Sequence, residues 1–194
     1  MENLFRRIVH IMAEKPEVRA IIEEILDLIE QNNNINLSSI RIDQQCRIFL
    51  TGYNNAELLI EGYQAKTLYI FYLLSPVCIS NADIEQYKDI LIDIYLEIYN
   101  KKEKGRGRAR DFINGLLNPK DGKKGRGLSD ATNKIRKALK DAIPDEKILR
   151  KYSIEGKRSG GRKISLPKKY ILIENDALKE IAKSRFRETQ EEDN

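Results

Sequence analysis

The chain has 194 residues, enough for one domain with an appendage, and 41% of them are apolar, which suffices for a core. Two cysteines and the lack of any long uncharged apolar stretch argue against a disulfide-rich secreted protein and against a membrane-spanning one. The first residues contain no apolar segment like that of a secretory signal, so the sequence predicts a cytoplasmic protein with no membrane partner.

Charge is distributed unevenly along the chain. Residues 101–170 hold 23 of the 35 basic residues but only 8 of the 30 acidic ones, a net charge of +15, and the rest of the chain carries −10. A cationic block in an otherwise acidic protein is typical of a protein that binds a polyanion. The alternative is a solvated surface that has no partner, since charge runs often serve solubility alone.

Residues 1–34 predict an N-terminal helical arm. Apolar residues follow helical spacing over 3–13, and after Pro16 a second apolar stripe runs from Val18 to Ile29 with acidic residues opposite. Something must cover such a stripe, either the body of the protein or a second copy in a homodimer, and the sequence leaves both open. The only histidine, His10, lies in this arm and is interpreted as structural rather than as a ligand or base.

From Ile40 the apolar period changes to two, which predicts short half-buried strands with a turn near Asp43. The residues that share the apolar face are Ile40, Ile42, Cys46, Ile48 and Leu50. Turn residues 52–55 precede a further strand over 56–60, so this region predicts a small antiparallel sheet. Cys46 and Cys78 both have apolar neighbours and are predicted to be buried thiols.

Two apolar helices follow the predicted sheet. The first covers 64–75 and ends before Pro76. The second opens at Ser80, with Asp83 as an anionic partner for its N-terminus, and runs to about Asn100. Its apolar residues cover more than one side, so it is expected to be the core helix.

Residues 101–128 predict a basic, glycine-rich loop with at most one short helical turn in its middle. Arg106, Arg108 and Arg110 are the candidate phosphate-binding residues of this loop.

Residues 129–143 predict an amphipathic helix with Ser129 or Asp130 as its N-cap. A side-chain amide can form hydrogen bonds with adenine, a guanidinium can do so with guanine, and amines can bind phosphates. The polar face of this helix is therefore a candidate DNA-reading surface. The alternative is a surface helix whose lysines serve solubility. The residues of the polar face are Ser129, Asn133, Arg136, Lys137 and Lys140.

A hairpin over 152–166 follows directly, and Gly160 and Gly161 allow positive φ angles at its tip. Its cations must project into water or onto phosphates, and a plain charged turn is the alternative. These cations are Lys157, Arg158, Arg162 and Lys163. After the hairpin, residues 170–173 predict a strand, and Asn175 or Asp176 caps a last helix that runs to about Arg187 before an acidic tail.

Patterns of catalytic or metal-binding residues are absent from the sequence. No His–Cys–carboxylate group has metal spacing, and the glycine-rich run 122–129 lacks the phosphate-loop pattern. The sequence therefore predicts no enzyme activity, no cofactor, no metal and no small-molecule substrate.

The order of these elements resembles the winged-helix effector domain of OmpR-type response regulators. The resemblance covers about residues 38–173, and its segments are the strands at 40–43 and 57–60, the helix at 67–74, the helix at 131–140 and the hairpin at 152–166. It implies an α+β fold, namely a winged helix-turn-helix over 35–175 with a small N-terminal sheet, preceded by the arm 1–34 and followed by a C-terminal helix and tail over 176–194.

Two features depart from that family. Fewer than 40 residues precede the resembling segment, which leaves no room there for the receiver domain of a response regulator, and the loop before the recognition helix is longer. The resemblance implies that the polar face of 129–143 enters the major groove. It also implies that Arg158, Arg162 and Lys163 reach the minor groove or the backbone.

The function that we expect from the sequence is double-stranded DNA binding by a transcriptional regulator. Two alternatives remain open. In one, the protein is a protein-interaction winged helix whose same face docks an acidic protein. In the other, it is an RNA-binding accessory protein that uses the Gly-Arg-Gly-Arg segment 105–108 as a flexible arm.

Overall fold

The structure is a computed structural model that describes residues 37–99, 105–118, 126–157 and 161–191, which belong to one compact unit. The strands are β1 (Ile40–Ile42), β2 (Ile48–Leu50), β3 (Ala56–Glu57), β4 (Ile154–Lys157), β5 (Gly161–Ile164) and β6 (Ile171–Ile173). The helices are α1 (Tyr63–Leu74), α2 (Lys88–Tyr99), α3 (Arg106–Leu117), α4 (Arg126–Ala142), α5 (Glu146–Tyr152) and α6 (Asp176–Glu191), with 3-10 turns at Asp83–Tyr87 and Lys168–Tyr170. The predicted α+β class is confirmed, while the predicted arm 1–34 and its homodimer contact lie outside the described residues.

The small sheet has the strand order β3-β2-β1-β6. The first three strands are antiparallel as predicted, and β6 adds to β1 in parallel. The period of two is confirmed, because all five predicted inward residues, Ile40 to Leu50, are at most 1% exposed. The predicted strand over 56–60 is shorter than expected. The amide of Leu58 still donates to the Ile48 carbonyl, but the chain then turns towards α1 and leaves Leu59 exposed.

The turn between β1 and β2 is held by a buried carboxylate. Asp43 accepts hydrogen bonds from the backbone N–H groups of Gln45 and Arg47 and from Nε of Arg47, at 2.7–3.0 Å. Burial by itself raises the pKa of the Asp43 carboxyl. The hydrogen bonds and the charge of Arg47 outweigh burial, so the pKa lies below its ordinary value.

Because the folded-state pKa of Asp43 is depressed, its contribution to stability is present above the unfolded-state pKa of about 3.9 and disappears as pH falls through the folded-state pKa. We expect Asp43→Asn to lower the free energy of unfolding by about 1–2 kcal/mol at pH 7, and by less near pH 3. Urea unfolding at the two pH values measures this difference. The exposed Asp111→Asn variant serves as the control, and an equal loss at both pH values would contradict the prediction.

The helical core is built around α1, which packs against both α2 and α4. Nine of its twelve residues are buried, and it ends before Pro76 as predicted. Lys168 caps its C-terminus by donating from Nζ to the carbonyls of Leu73 and Ser75, both at 2.7 Å, and burial lowers the pKa of Lys168. This cap connects the last turn of α1 to the segment that follows the β4–β5 hairpin.

The predicted core helix begins as a 3-10 turn before it becomes α2. Ser80 still serves the N-terminus, because its Oγ accepts from the amides of Ala82 and Asp83. The predicted cap of the last helix is confirmed at Asn175, which is buried and accepts from the amide of Leu178 at 2.9 Å. Leu178 and Phe186 then bury α6 against the rest of the unit.

The prediction of two buried thiols is correct for Cys46 and wrong for Cys78. Cys46 is 1% exposed, whereas Cys78 is exposed. The neighbour Ile79 is buried and pairs as an extended residue with Arg162. Adjacent side chains of extended backbone point to opposite sides, so the burial of Ile79 turns Cys78 outwards.

Candidate nucleic-acid interface

Helix α4 has the two faces predicted for it. Its buried side is formed by Leu128, Ala131, Ile135 and Leu139, each at most 4% exposed. The predicted N-cap is wrong, because the helix begins at Arg126 and therefore includes Ser129 and Asp130. Ser129 is half-buried, so it contributes less to the exposed face than predicted.

The exposed face of α4 is cationic. Asn133, Arg136, Lys137 and Lys140 are all exposed, as predicted. At about 100° per residue, Asn133, Lys137 and Lys140 lie within roughly 60° of one another around the helix axis. Neither of these two lysines forms an ion pair with a described residue, so both ammonium groups face solvent.

Arg136 differs from the two lysines because α5 supplies it with a partner. Glu146, in the first turn of α5, accepts from its guanidinium at 3.4 Å, and both side chains are about half exposed. Such a pair contributes little to stability, about 0–1 kcal/mol. It holds the guanidinium at the edge of the α4 face and places a negative charge beside it.

We expect Glu146→Gln to strengthen binding of a polyanion by roughly threefold at low salt, because it releases Arg136 and removes a repelling charge. The free energy of unfolding should change by less than about 0.5 kcal/mol. Fluorescence anisotropy with labelled duplex DNA measures the first effect and urea unfolding the second. Glu180→Gln, an exposed change on α6, is the matched control, and weaker or unchanged binding by Glu146→Gln would contradict the prediction.

The predicted hairpin exists but begins later than expected. Strands β4 and β5 pair in antiparallel register, with Ile154 opposite Ile164. Tyr152 was predicted to open the hairpin and instead ends α5, where it is fully buried. Its hydroxyl donates to the Ser38 carbonyl at 2.6 Å, and its own carbonyl accepts from the hydroxyl of Tyr69. These long-range bonds, which a local pattern cannot contain, fix the end of α5.

Of the four cations predicted for the hairpin, the structure describes the side chains of Arg162 and Lys163. Lys163 is exposed, whereas Arg162 is half-buried and its backbone pairs with Ile79 in both directions at 2.8–3.0 Å. Gly161 adopts the predicted positive φ, at +80°, where a side chain would be strained. The side chains of Lys157 and Arg158 lie outside the described part of the chain.

The first strand of the hairpin borders α4. A cavity of about 120 Å³ separates the two elements, with Asn133 and Arg136 on the helix side and Ile154 and Glu155 on the strand side. The edge of α4 that carries Arg136 is therefore the edge next to the hairpin, while Asn133 lies between this edge and the opposite side of the helix. The two cationic elements predicted from the sequence are neighbours in space.

The predicted basic loop over 101–128 is wrong where the structure describes it. Residues 106–117 form the helix α3, and α4 begins within the predicted loop. Ala109, Ile113 and Leu116 are fully buried at helical spacing and hold α3 on the core. That apolar spacing was the available signal, and the surrounding glycines and arginines obscured it.

The three arginines of α3 do not form one binding face. Arg106 pairs with Asp93 of α2 at 3.1 Å. Arg108 and Arg110 are exposed, but at about 100° per residue their directions differ by roughly 160°. At most one of these two can therefore face the same ligand surface as α4.

Sequence reasoning also missed the cations of α5. Lys147 and Arg150 are exposed and follow Glu146 on the outer side of that short helix. The helix that carries them packs against α4. The charge was visible in the sequence, but the seven-residue helix that orders it was not predicted.

The described residues contain no group of His, Cys, Asp and Glu side chains arranged to hold a metal ion. Among the helices of the described ranges, none has the length and apolar character needed to cross a membrane. No protein-family model, curated protein or solved structure matches the chain.

Proposed function

We propose that the protein binds double-stranded DNA as a winged helix-turn-helix protein and acts as a transcriptional regulator. The observation that carries the proposal is the exposed cationic face of α4 beside the β4–β5 hairpin. A helix of this kind fits the major groove, and a neighbouring hairpin then reaches the backbone or the minor groove.

The order of elements supports the proposal as well. Helix α1, the extended residue Ile79, helix α2, helix α4 and the hairpin follow one another as the parts of a winged helix do, with a small sheet in front. Helix α3 is an addition between the second helix and the proposed recognition helix. It packs against both of them and thereby helps to hold α4 in place.

Each residue on the α4 face has a chemical role in this proposal. Asn133 suits adenine and Arg136 suits guanine, while Lys137 and Lys140 neutralise phosphates. Lys163 of the hairpin, together with Lys157, Arg158 and Arg162, is assigned to the backbone or the minor groove. Phosphate contacts provide most of the affinity, and only the amide and the guanidinium read bases.

The proposal is tested by binding to mixed-sequence duplex DNA over a salt series. About six phosphate contacts give a slope of about −5 in the logarithm of the binding constant against the logarithm of salt concentration. The absence of binding near roughly 50 mM salt, or a slope close to zero, would refute the proposal. Competition with structured RNA and with heparin separates duplex recognition from general attraction to polyanions.

A further inference from the structure

An open cleft of about 860 Å³ lies on the side of α4 away from the hairpin. The start of α1 forms one wall, α3 forms the floor, and the first turns of α4 form the opposite wall. A volume of this size accommodates a small organic ligand, whose binding sites commonly measure about 300–1,000 Å³. The DNA-binding role proposed for α4 leaves this cleft without a function.

One wall of the cleft is formed by an aromatic ring. Tyr63 is 47% exposed, yet its ring is held in perpendicular contact with Tyr95 and Tyr99 at centroid distances of 6.4 and 5.2 Å. Phe112 of α3 continues the aromatic surface and packs on Tyr95 at 4.6 Å. An exposed ring held by such edge contacts is positioned for stacking with a planar ligand.

Hydrogen-bonding side chains of both polarities also line the cleft. Gln64 is fixed by donating from Nε2 to the Phe112 carbonyl at 2.8 Å, and Asn133 faces the cleft from α4. Glu61 and Asp130 add two carboxylates, which are acceptors, to the lining. A heteroaromatic ring with both donors and acceptors on its edge matches such a mixture, whereas a hydrocarbon ring does not.

A single cation completes the site. The Nζ atom of Lys134 lies near the mouth, 3.6 Å from the position that a Cβ atom on Gly62 would occupy. Lys134 is exposed, and no described carboxylate forms an ion pair with it. Glu61 and Asp130 line the same cleft without forming an ion pair with this lysine, so the ammonium is the group that an anion attached to the planar ring would contact.

We infer that this cleft binds a nucleobase carrying a phosphate, with the base stacked on Tyr63, its edge bonded by the amides of Gln64 and Asn133, and the phosphate on Lys134. The base comes either from a free nucleotide or from an unpaired position of a nucleic-acid strand, and the chemistry is the same for both. Because Asn133 also belongs to the DNA-reading face, a free nucleotide in the cleft competes with DNA for that amide. The inference does not require the proposed function, because free nucleotide binding is measured without DNA.

The first experiment measures binding of AMP and GMP by ligand-observed NMR and calorimetry. We expect Tyr63→Ala to weaken binding by about tenfold, because stacking of one base on an aromatic side chain contributes a factor of this order. Tyr63→Phe keeps the stacking face and should bind like the wild type, and Lys183→Ala on α6 is the surface control. Failure of the wild type to bind either nucleotide at millimolar concentration, together with a negative result in the bulge experiment below, overturns the inference.

A second variant keeps the test independent of any folding defect caused by Tyr63→Ala. Lys134→Ala should remove the preference for AMP over adenosine and leave adenosine binding unchanged, because only the phosphate contact is lost. Thermal unfolding of every variant shows whether it is folded. An unchanged preference in a folded Lys134→Ala protein overturns the assignment of the phosphate to this lysine.

The second experiment distinguishes the two sources of the base. It compares a paired duplex, the same duplex with one bulged adenine, and the same duplex with an abasic bulge. Tighter binding of the bulged adenine that disappears in Tyr63→Ala identifies a strand as the source. Nucleotide binding without such a preference identifies a free nucleotide as the source. If neither nucleotide binding nor a preference for the bulged adenine is observed, the inference is overturned. Binding of the paired duplex in the same assay reports separately on the proposed function.

Discussion

Gly127→Ala is expected to destabilise the protein by about 2 kcal/mol or more, in spite of the higher helix propensity of alanine. Gly127 lies in the first turn of α4, where the C-terminal end of α3 approaches closely. A Cβ atom there would come within 2.4 Å of the Leu116 carbonyl oxygen and within 2.9 Å of that of Gly115. Both contacts are to backbone, which cannot move aside as a flexible side chain does, so the two helices must separate.

Gly107→Ala on α3 is the matched control for this prediction. A Cβ atom at that position meets nothing within 4 Å, so only helix propensity acts. We expect this variant to gain roughly 0.5–1 kcal/mol. Urea unfolding of both variants measures their changes in the free energy of unfolding. We expect a decrease for Gly127→Ala and an increase for Gly107→Ala, and these opposite signs distinguish the steric effect from helix propensity. A stabilised Gly127→Ala protein would show that α3 and α4 do not touch as described.

The double variant Lys137→Ala/Lys140→Ala is expected to lose affinity for duplex DNA by on the order of tenfold for each lysine at low salt. The salt slope should move towards zero by roughly 2, because each lysine neutralises about one phosphate. The loss should be similar for all sequences, since phosphate contacts carry no base information. Both side chains are exposed, so the melting temperature should stay within about 2 °C of the wild type.

Two further variants complete this experiment. Lys183→Ala removes an exposed lysine from α6 and should leave DNA binding unchanged. Arg136→Ala should reduce discrimination between DNA sequences more than it reduces non-specific affinity, since its guanidinium suits guanine. Equal losses of stability and binding in the double variant would assign a structural role to the two lysines and contradict the proposed interface.

The two faces of α4 could be predicted from the sequence because local periodicity reports which side of an element is buried. The spacing of Ile135 and Leu139 predicts the side that packs on α1, and the lysines then have to face solvent. The same reasoning holds for the period of two across Ile40 and Ile42 and for the end of α1 before Pro76. In each of these cases a repeat of a few residues contains the information.

Helix α3 shows where composition misleads. Its glycines and arginines are typical of a loop, yet Ala109 and Ile113 are completely buried and hold it on the core. Burial of a few well-spaced apolar residues outweighs a poor helix propensity when a complementary surface is available. That surface is supplied by α2 and α4. A sequence pattern read within α3 alone contains no information about these two packing partners.

By itself, the sequence determined the strand alternation, the apolar α1 and α2, the polar face of α4 and the concentration of positive charge after residue 100, since all of these are local patterns. Only the tertiary structure decided the parallel pairing of β6 with β1, the exposure of Cys78, the ion pair between Arg136 and Glu146, the place of the hairpin beside α4 and the aromatic cleft at Tyr63. The physical reason is that each of these features depends on contacts between different secondary-structure elements, most of them far apart along the chain, which no local repeat encodes.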